Sequence, residues 1–261
     1  MNLLFIGDII AKEGCELVKQ MLPELKKKHD IQVVVANAEN SSDLKGTTAE
    51  SADFLLAVGV DILTGGNHTM RHRDFMKYLD NGRINAVRPA NYGGEAPGAG
   101  FLELDFLRFK LCVVNLLGRV FMDPVDSPFK VMDEILKNVS TPNILVDFHA
   151  EATSEKAALA FYLDGRVSAV LGTHTHVQTN DAKILPGGTG FISDVGMVGS
   201  ELSVIGAEPE MVLRRMKDNL PAKFSTVKTN YRLDYAVIQI DEKQGKCTKI
   251  ESFFVNDFRT I

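Results

Sequence analysis

Six histidines occur in the 261 residues, and four of them stand just beyond short apolar runs. His68 follows Val60 to Leu63, His149 follows Ile144 to Val146, and His174 and His176 follow Val167 to Leu171. Oxygen donors take the same kind of place. Asp8 follows Leu3 to Ile6, Glu39 and Asn40 follow Ile31 to Ala36, and Asn67 precedes His68. Carboxylates, carboxamides and imidazoles without a thiolate suit manganese, iron or zinc rather than magnesium or an iron–sulfur cluster. Two such ions ~3.5–4 Å apart can activate a water and clamp a phosphoryl group. They need a bridging ligand, and Glu39 is the choice for it. Each piece alone is ordinary. Asp8 could cap a helix, Glu39-Asn40 could be turn chemistry, and His149 could be a hydrogen-bonded core histidine. His174 and His176 say more, because imidazoles two residues apart lie close only in a turn or on one strand face. The joint pattern is the argument. The other two histidines, His29 and His72, lie in polar contexts and read as solvated surface.

These residues need elements to bring them together. Leu3–Ile6, Ile31–Ala36, Val60–Leu63, 143–148 and Val167–Leu171 read as strands. They alternate with helical patterns at Glu16–Lys28, Thr48–Val58 and Ser154–Tyr162. Apolar, β-branched runs alternating with helices mark a largely parallel sheet covered on both faces. In such a sheet ligands collect beyond the carboxyl ends of the strands. The stretch Phe101–Asn115 reads as paired strands. Phe191–Phe254 mixes strands with one helix near Met211–Met216, so a second sheet is expected. Asn91–Gly100 is Gly- and Pro-rich and reads as a loop. No linker or repeat divides the chain, and residues 1–261 are expected to form a single domain.

Composition narrows the function classes. The hydrophobic fraction is 45%, ample for a buried core. A formal net charge of -5 argues against stable nucleic-acid coating or an anionic membrane surface. It is compatible with a phosphate-bearing substrate if bound cations supply positive charge locally. The N-terminal run is interrupted at Asp8 and has no basic region before it, so it reads as a buried strand rather than a signal peptide. No apolar run is long enough to span a bilayer. Three cysteines without CxxC spacing fit structural thiols in a reducing compartment, and a cytoplasmic location is expected. Gly7 and Gly14 flank Asp8 without the spacing of a P-loop or a dinucleotide-binding turn.

Gly65-Gly66-Asn67-His68 resembles the GNH signature of calcineurin-like metallophosphoesterases, and Gly172-Thr173-His174-Thr175-His176 resembles their C-terminal GHxH-type signature. The blocks Phe5–Ile9, Ala36–Asn40, Arg88–Tyr92, Val146–Lys156, Val170–Thr179 and Leu185–Met197 resemble more closely the YmdB-like phosphodiesterases of that superfamily. Nearly the whole chain takes part. Two departures from the wider superfamily stand out. The Asp-x-His that usually follows the first strand is Asp8-Ile9-Ile10 here, and Glu39 replaces the bridging Asp. The YmdB-like branch shares both features.

The resemblance implies a four-layer α/β sandwich of metallophosphoesterase type, with two central mixed sheets flanked by helices. It implies a binuclear centre and cyclic nucleotide phosphodiesterase activity on 2′,3′- or 3′,5′-cyclic substrates. One metal would take Asp8, Glu39, Asn40 and His176. The other would take Glu39, Asn67, His149 and His174. Iron or manganese is favoured, with zinc as the alternative. His68 would stay off the metals as the proton donor. Asp147 is either a carboxylate that orients a ligand histidine or an ordinary polar residue, and its side chain is expected on the strand face opposite His149. Arg88 and Arg119 are candidate phosphate contacts. The expected partner is a small phosphodiester, and homo-oligomerisation stays open. The rival readings are a binuclear hydrolase of another bond and a nucleotide-binding regulatory protein with slow turnover.

Overall fold

The computed structural model describes residues 1–82 and 84–257. Its elements in chain order begin with β1 (Asn2–Ile6), β2 (Asp8–Ile9), α1 (Ala11–Lys28), β3 (Val33–Asn37), α2 (Ala49–Ala57), β4 (Ile62–Thr64) and α3 (Arg73–Asp80). There follow β5 (Phe101–Asp105), β6 (Lys110–Leu117), α4 (Pro128–Leu136), β7 (Ile144–His149), α5 (Thr153–Tyr162) and β8 (Ala169–Thr173). The chain continues through β9 (Lys183–Ile184), β10 (Gly190–Ile192), β11 (Met197–Ser200), α6 (Pro209–Met216), β12 (Tyr231–Asp241) and β13 (Lys246–Asp257).

Two mixed sheets result. One runs β2-β11-β12-β1-β3-β4, with β13 paired to β12; the other runs β5-β6-β7-β8-β10-β9. In the first, β1, β3 and β4 are parallel, while β12 is antiparallel to β1. In the second, β6, β7, β8 and β10 are parallel and the outer strands β5 and β9 are antiparallel.

Strand alternation explains the layering. Leu4 and Ile6 face α1 and α2, meeting Leu17, Val18, Leu22 and Leu55. Leu3 and Phe5 face the other way and meet Val113, Leu145 and Leu171 of the second sheet. On the far side, Val114, Val146 and Val170 pack beneath α4 and α5 through Met132, Ile135 and Leu159. The order is therefore helix, sheet, sheet, helix, which is the expected four-layer α/β sandwich.

Most expected elements lie where the residue pattern put them. α2 starts at an N-cap Thr48 that forms a reciprocal capping box with Ser51. α1 starts five residues before the expected Glu16. Ile10 at its N-cap makes no side-chain capping bond, and Gly14 lies inside the first turns, so the usual start signals are missing. A Cβ on Gly14 would lie 2.8 Å from the Val198 carbonyl oxygen, which accounts for a glycine there. Cys15, Cys112 and Cys247 are free and buried. His29 and His72 are half-buried rather than solvated. His29 Nε2 meets Tyr235 Oη at 3.1 Å, and His72 Nε2 meets Ser42 Oγ at 3.2 Å. Among the described residues no helix is long and apolar enough to cross a membrane.

Candidate metal centre

The carboxyl edges of the two sheets meet, and a polar plug joins them. Asn37 ends β3, Thr64 ends β4, and Asp147 lies in β7. Asn37 Nδ2 donates to Asp147 Oδ2 at 2.9 Å, and the Thr64 hydroxyl donates to the same oxygen. Asn115 in β6 accepts from the Gly65 amide and donates to the Asp147 carbonyl. All these groups are buried and partnered, so the plug holds the two sheets in register without a stranded polar atom.

Above this plug the structure brings together Asp8, Glu39, Asn40, Asn67, His68, His149, His174 and His176. Two groups of donor atoms lie within 4.8 Å of one another: Glu39, His149 and His174, and Asp8, Glu39 and His176. Glu39 belongs to both. Its Oε1 lies 3.1 Å from His149 Nε2, 3.2 Å from Asn40 Nδ2 and 3.3 Å from His68 Nδ1. His176 Nε2 lies 3.3 Å from Asp8 Oδ2. Asn67 Oδ1 and His174 Nδ1 each lie 3.1 Å from His149 Nε2. His68 belongs to neither three-residue group. Its Nδ1 is 3.0 Å from Asn40 Oδ1.

The backbone is shaped for this convergence. His174 and His176 have φ of 105° and 64°, values that L-residues seldom adopt. Such strain clusters where a site over-determines the conformation. Gly66 passes so close to the cluster that a Cβ would lie 2.1 Å from Glu39 Oε2. A Cβ on Gly172 would lie 1.8 Å from the Ser193 carbonyl oxygen, so the strand before the two histidines also requires glycine. Beneath the turn, Lys156 Nζ pairs with Asp194 Oδ2 at 2.7 Å, both side chains buried, and that oxygen also accepts the Thr175 amide.

Each of the three clustered histidines has its outward nitrogen engaged. His149 Nδ1 is 2.9 Å from Thr173 Oγ1, whose hydroxyl donates to Asp147 Oδ1 at 2.7 Å. The hydroxyl can donate only once, so it accepts from His149 Nδ1–H. His176 Nδ1 donates to the Ile205 carbonyl at 2.9 Å, and His174 Nε2 lies 3.0 Å from Glu151 Oε2. These contacts leave Nε2 of His149, Nε2 of His176 and Nδ1 of His174 turned inward. Asp147 and His149 thus lie on the same strand face and converge on Thr173. The expectation of opposite faces is corrected, because residues two apart in a strand share a face.

Protons and cations compete here. Burial alone would raise the Glu39 carboxyl, yet His149 and His68 hold it well below its usual range. Burial opposes a charge on His149, but the neighbouring carboxylates, Glu39 first, lift it to about 9. Burial and the His149 charge press His174 down to about 3. Burial pushes Asp147 up to about 7. The donor set fits a cation better than it fits itself. His149 Nε2 carries one proton at most, yet three groups crowd around it, and Asp8 Oδ1 is buried with no hydrogen-bond partner among the described residues. A cation would satisfy both. Its binding needs a neutral imidazole at His149 and so strengthens as pH rises.

Other candidates lie elsewhere. The Arg88 guanidinium bonds the carbonyls of Pro89 and Ala96, pinning its own loop, at 2.9 and 3.3 Å. Arg88 and Arg119 line a separate cavity that none of the clustered residues lines. Residue types alone did not reveal Thr173, Asn37 or the Lys156–Asp194 pair. Their signal was that all four fall within the blocks that resemble the YmdB-like phosphodiesterases: Asn37 in Ala36–Asn40, Lys156 in Val146–Lys156, Thr173 in Val170–Thr179 and Asp194 in Leu185–Met197.

A four-layer sandwich with this edge cluster defines a metallophosphoesterase-type phosphoesterase. The match of residues 4–253 to the model of the YmdB-like protein family shows that the chain belongs to that family. It is 43% identical to the 2′,3′-cyclic-nucleotide 2′-phosphodiesterase of Bacillus subtilis, over 98% of each chain. A crystal structure of a hypothetical protein from Thermus thermophilus superposes with a TM-score of 0.93 at 40% identity, covering 98% of this chain and 100% of that one. A phosphatase from Mycoplasma pneumoniae also gives 0.93, at 34% identity, covering 99% of this chain and 94% of that one.

Proposed function

We propose that the protein is a binuclear metal-dependent phosphodiesterase that opens 2′,3′-cyclic nucleotides. The observation that carries this reading is Glu39, which is shared by the two donor groups at the strand ends. Asp8, Glu39, Asn40 and His176 would hold one ion, and Glu39, Asn67, His149 and His174 the other. Nitrogen and oxygen donors without thiolate favour iron or manganese, with zinc the alternative. The ions would supply positive charge for the phosphate oxygens and acidity for an attacking water. The name of the Bacillus relative favours the 2′,3′-cyclic over the 3′,5′-cyclic ring.

The chain's own groups do the rest. The Thr173, Glu151 and Ile205 contacts fix which nitrogen each histidine turns inward. His68 anchors Nδ1 on Asn40 and Glu39, which leaves Nε2 to give a proton to the departing ribose oxygen. In balance, water oxygen bonds to phosphorus, the P–O2′ bond breaks, and O2′ gains a proton. A 3′-phosphate is left.

Elemental analysis of the purified protein, with a screen of phosphodiesters, tests the proposal. The expected result is two transition-metal ions per chain and turnover of a 2′,3′-cyclic nucleotide to a 3′-nucleotide. One ion at full activity, or no phosphodiester hydrolysed by fully loaded protein, sinks it.

The contact of Thr173 gives a narrower prediction. Thr173→Ala is expected to weaken metal affinity about 10- to 100-fold, the usual cost of losing a partner that orients a ligand histidine. Thr173→Ser should restore it. Chelator competition measures this, and unchanged affinity in Thr173→Ala would remove the orienting role.

A further inference from the structure

Beside the metal cluster opens a cavity of about 360 Å³, within the range of small-ligand sites. Part of its lining is polar and belongs to the cluster: Glu39, Asn40, His68, His174 and His176. Much of the rest, beside the charged Lys45 and Glu151, is apolar, with Leu44, Val204, Ile205, Val212, Met216 and Phe224. Five of these six come from the segment between β11 and β12, which includes α6. Ile205, Met216 and Phe224 remain 52%, 79% and 39% exposed. The reaction at the cluster does not use this apolar wall.

The turn that carries Ile205 is the unusual feature. Val204 and Ala207 exchange both backbone hydrogen bonds, at 2.9 and 3.0 Å, so Ile205 and Gly206 form a two-residue hairpin loop. Both have positive φ, 48° and 100°. That pattern is the first requirement of a type I′ turn, whose first position favours Asn, Asp or Gly. A β-branched residue there is strained. Turn chemistry does not explain Ile205. Its position does, because the carbonyl bonds His176 Nδ1 while the side chain lines the cavity.

We propose that this wall is a nucleobase subsite. It takes the base of the nucleotide whose phosphate lies at the metal cluster, and Ile205, despite its strain, supplies part of that surface. The proposal rests on the phosphodiesterase reading for the position of the phosphate. Apolar side chains contact any base and carry no hydrogen-bonding code, so the subsite favours having a base without choosing among the four. Stacking on an aromatic ring such as Phe224 tolerates any base, because every base has a π-face.

The test compares a 2′,3′-cyclic nucleotide with a base-free ribose 2,3-cyclic phosphate, in metal-loaded wild type, Met216→Ala and Phe224→Ala. Met216 and Phe224 are both exposed, and neither orients a histidine of the cluster. Met216→Ala and Phe224→Ala are therefore expected to keep the metal content of wild type. Both substitutions should raise KM for the cyclic nucleotide on the order of tenfold, with kcat nearly unchanged, and leave the base-free substrate alone. Loss of contacts made equally in the ground and transition states has that signature. Equal losses on both substrates, or no change on either, overturn the subsite. Binding of a 3′-nucleotide and of ribose 3-phosphate to the same proteins keeps the two readings apart. If wild type turns over neither substrate, the phosphodiesterase reading fails. A wild-type preference for the 3′-nucleotide that both variants lose then supports the subsite, and equal wild-type affinity overturns it.

Discussion

Glu39→Gln is expected to lose metal and activity together, by more than the ~10–100-fold typical of removing an outer partner of a ligand. The substitution keeps the shape of the side chain and changes its charge. Glu39 is 1% exposed and touches His149, Asn40 and His68 through one oxygen, and the His68 amide through the other at 3.1 Å. An amide offers one acceptor where the carboxylate offers two, and it turns an NH2 group toward donors or toward cations. It is also neutral, and a neutral group bridges two cations poorly. The neighbours that hold the Glu39 carboxyl well below its usual range show how strongly the position favours negative charge. Glu134→Gln is the control. That carboxylate is 71% exposed and, among the described residues, pairs only with Lys137, and exposed pairs of this kind contribute little. Elemental analysis and turnover, measured on both variants, decide the matter. Full metal content with near-normal activity in Glu39→Gln would contradict the bridging role.

The sequence showed this site unevenly. The strand ends were readable because an apolar run stopped by Asp8, by Glu39 or by His149 is a local pattern. So was α2, with Thr48 and Ser51 at its cap. α3 and α4 were not identified. α3 is short, and its N-cap His72 makes no capping bond. α4 follows Ser127, which makes none either, although Pro128 stands at its first turn. The contacts that orient the histidines were harder still. One is a backbone carbonyl, that of Ile205, which has no residue type to read. Another is Thr173, an unremarkable residue until β7 and β8 pair and place it against both Asp147 and His149. Arg88 misleads for a local reason: its charge suggests phosphate, but its guanidinium bonds the carbonyls of Pro89 and Ala96 in its own loop. Local chemistry is legible one residue at a time, whereas mutual orientation depends on pairs brought together by the fold.

His68→Ala is expected to slow hydrolysis of a cyclic nucleotide on the order of 10²–10⁴-fold, the range of general acid catalysis. A proton donor matters in proportion to how poorly the leaving group departs without a proton. A ribose alkoxide is a strong base and leaves poorly, whereas nitrophenolate is a weak base and leaves readily. The same substitution should therefore cost much less with a nitrophenyl phosphodiester. The geometry supports the assignment. His68 lines the cavity beside the cluster, and Nδ1 is occupied by Asn40 and Glu39, so Nε2 is the nitrogen left to serve a substrate. Metal content should stay near that of the unmodified protein, because His68 belongs to neither group of converging donors. Equal losses on the two substrates would mean that His68 positions the phosphate or stabilises its charge instead. Loss of an ion from His68→Ala would place the imidazole among the ligands. The assignment of Asn67, its neighbour in the same turn, would then have to be redrawn.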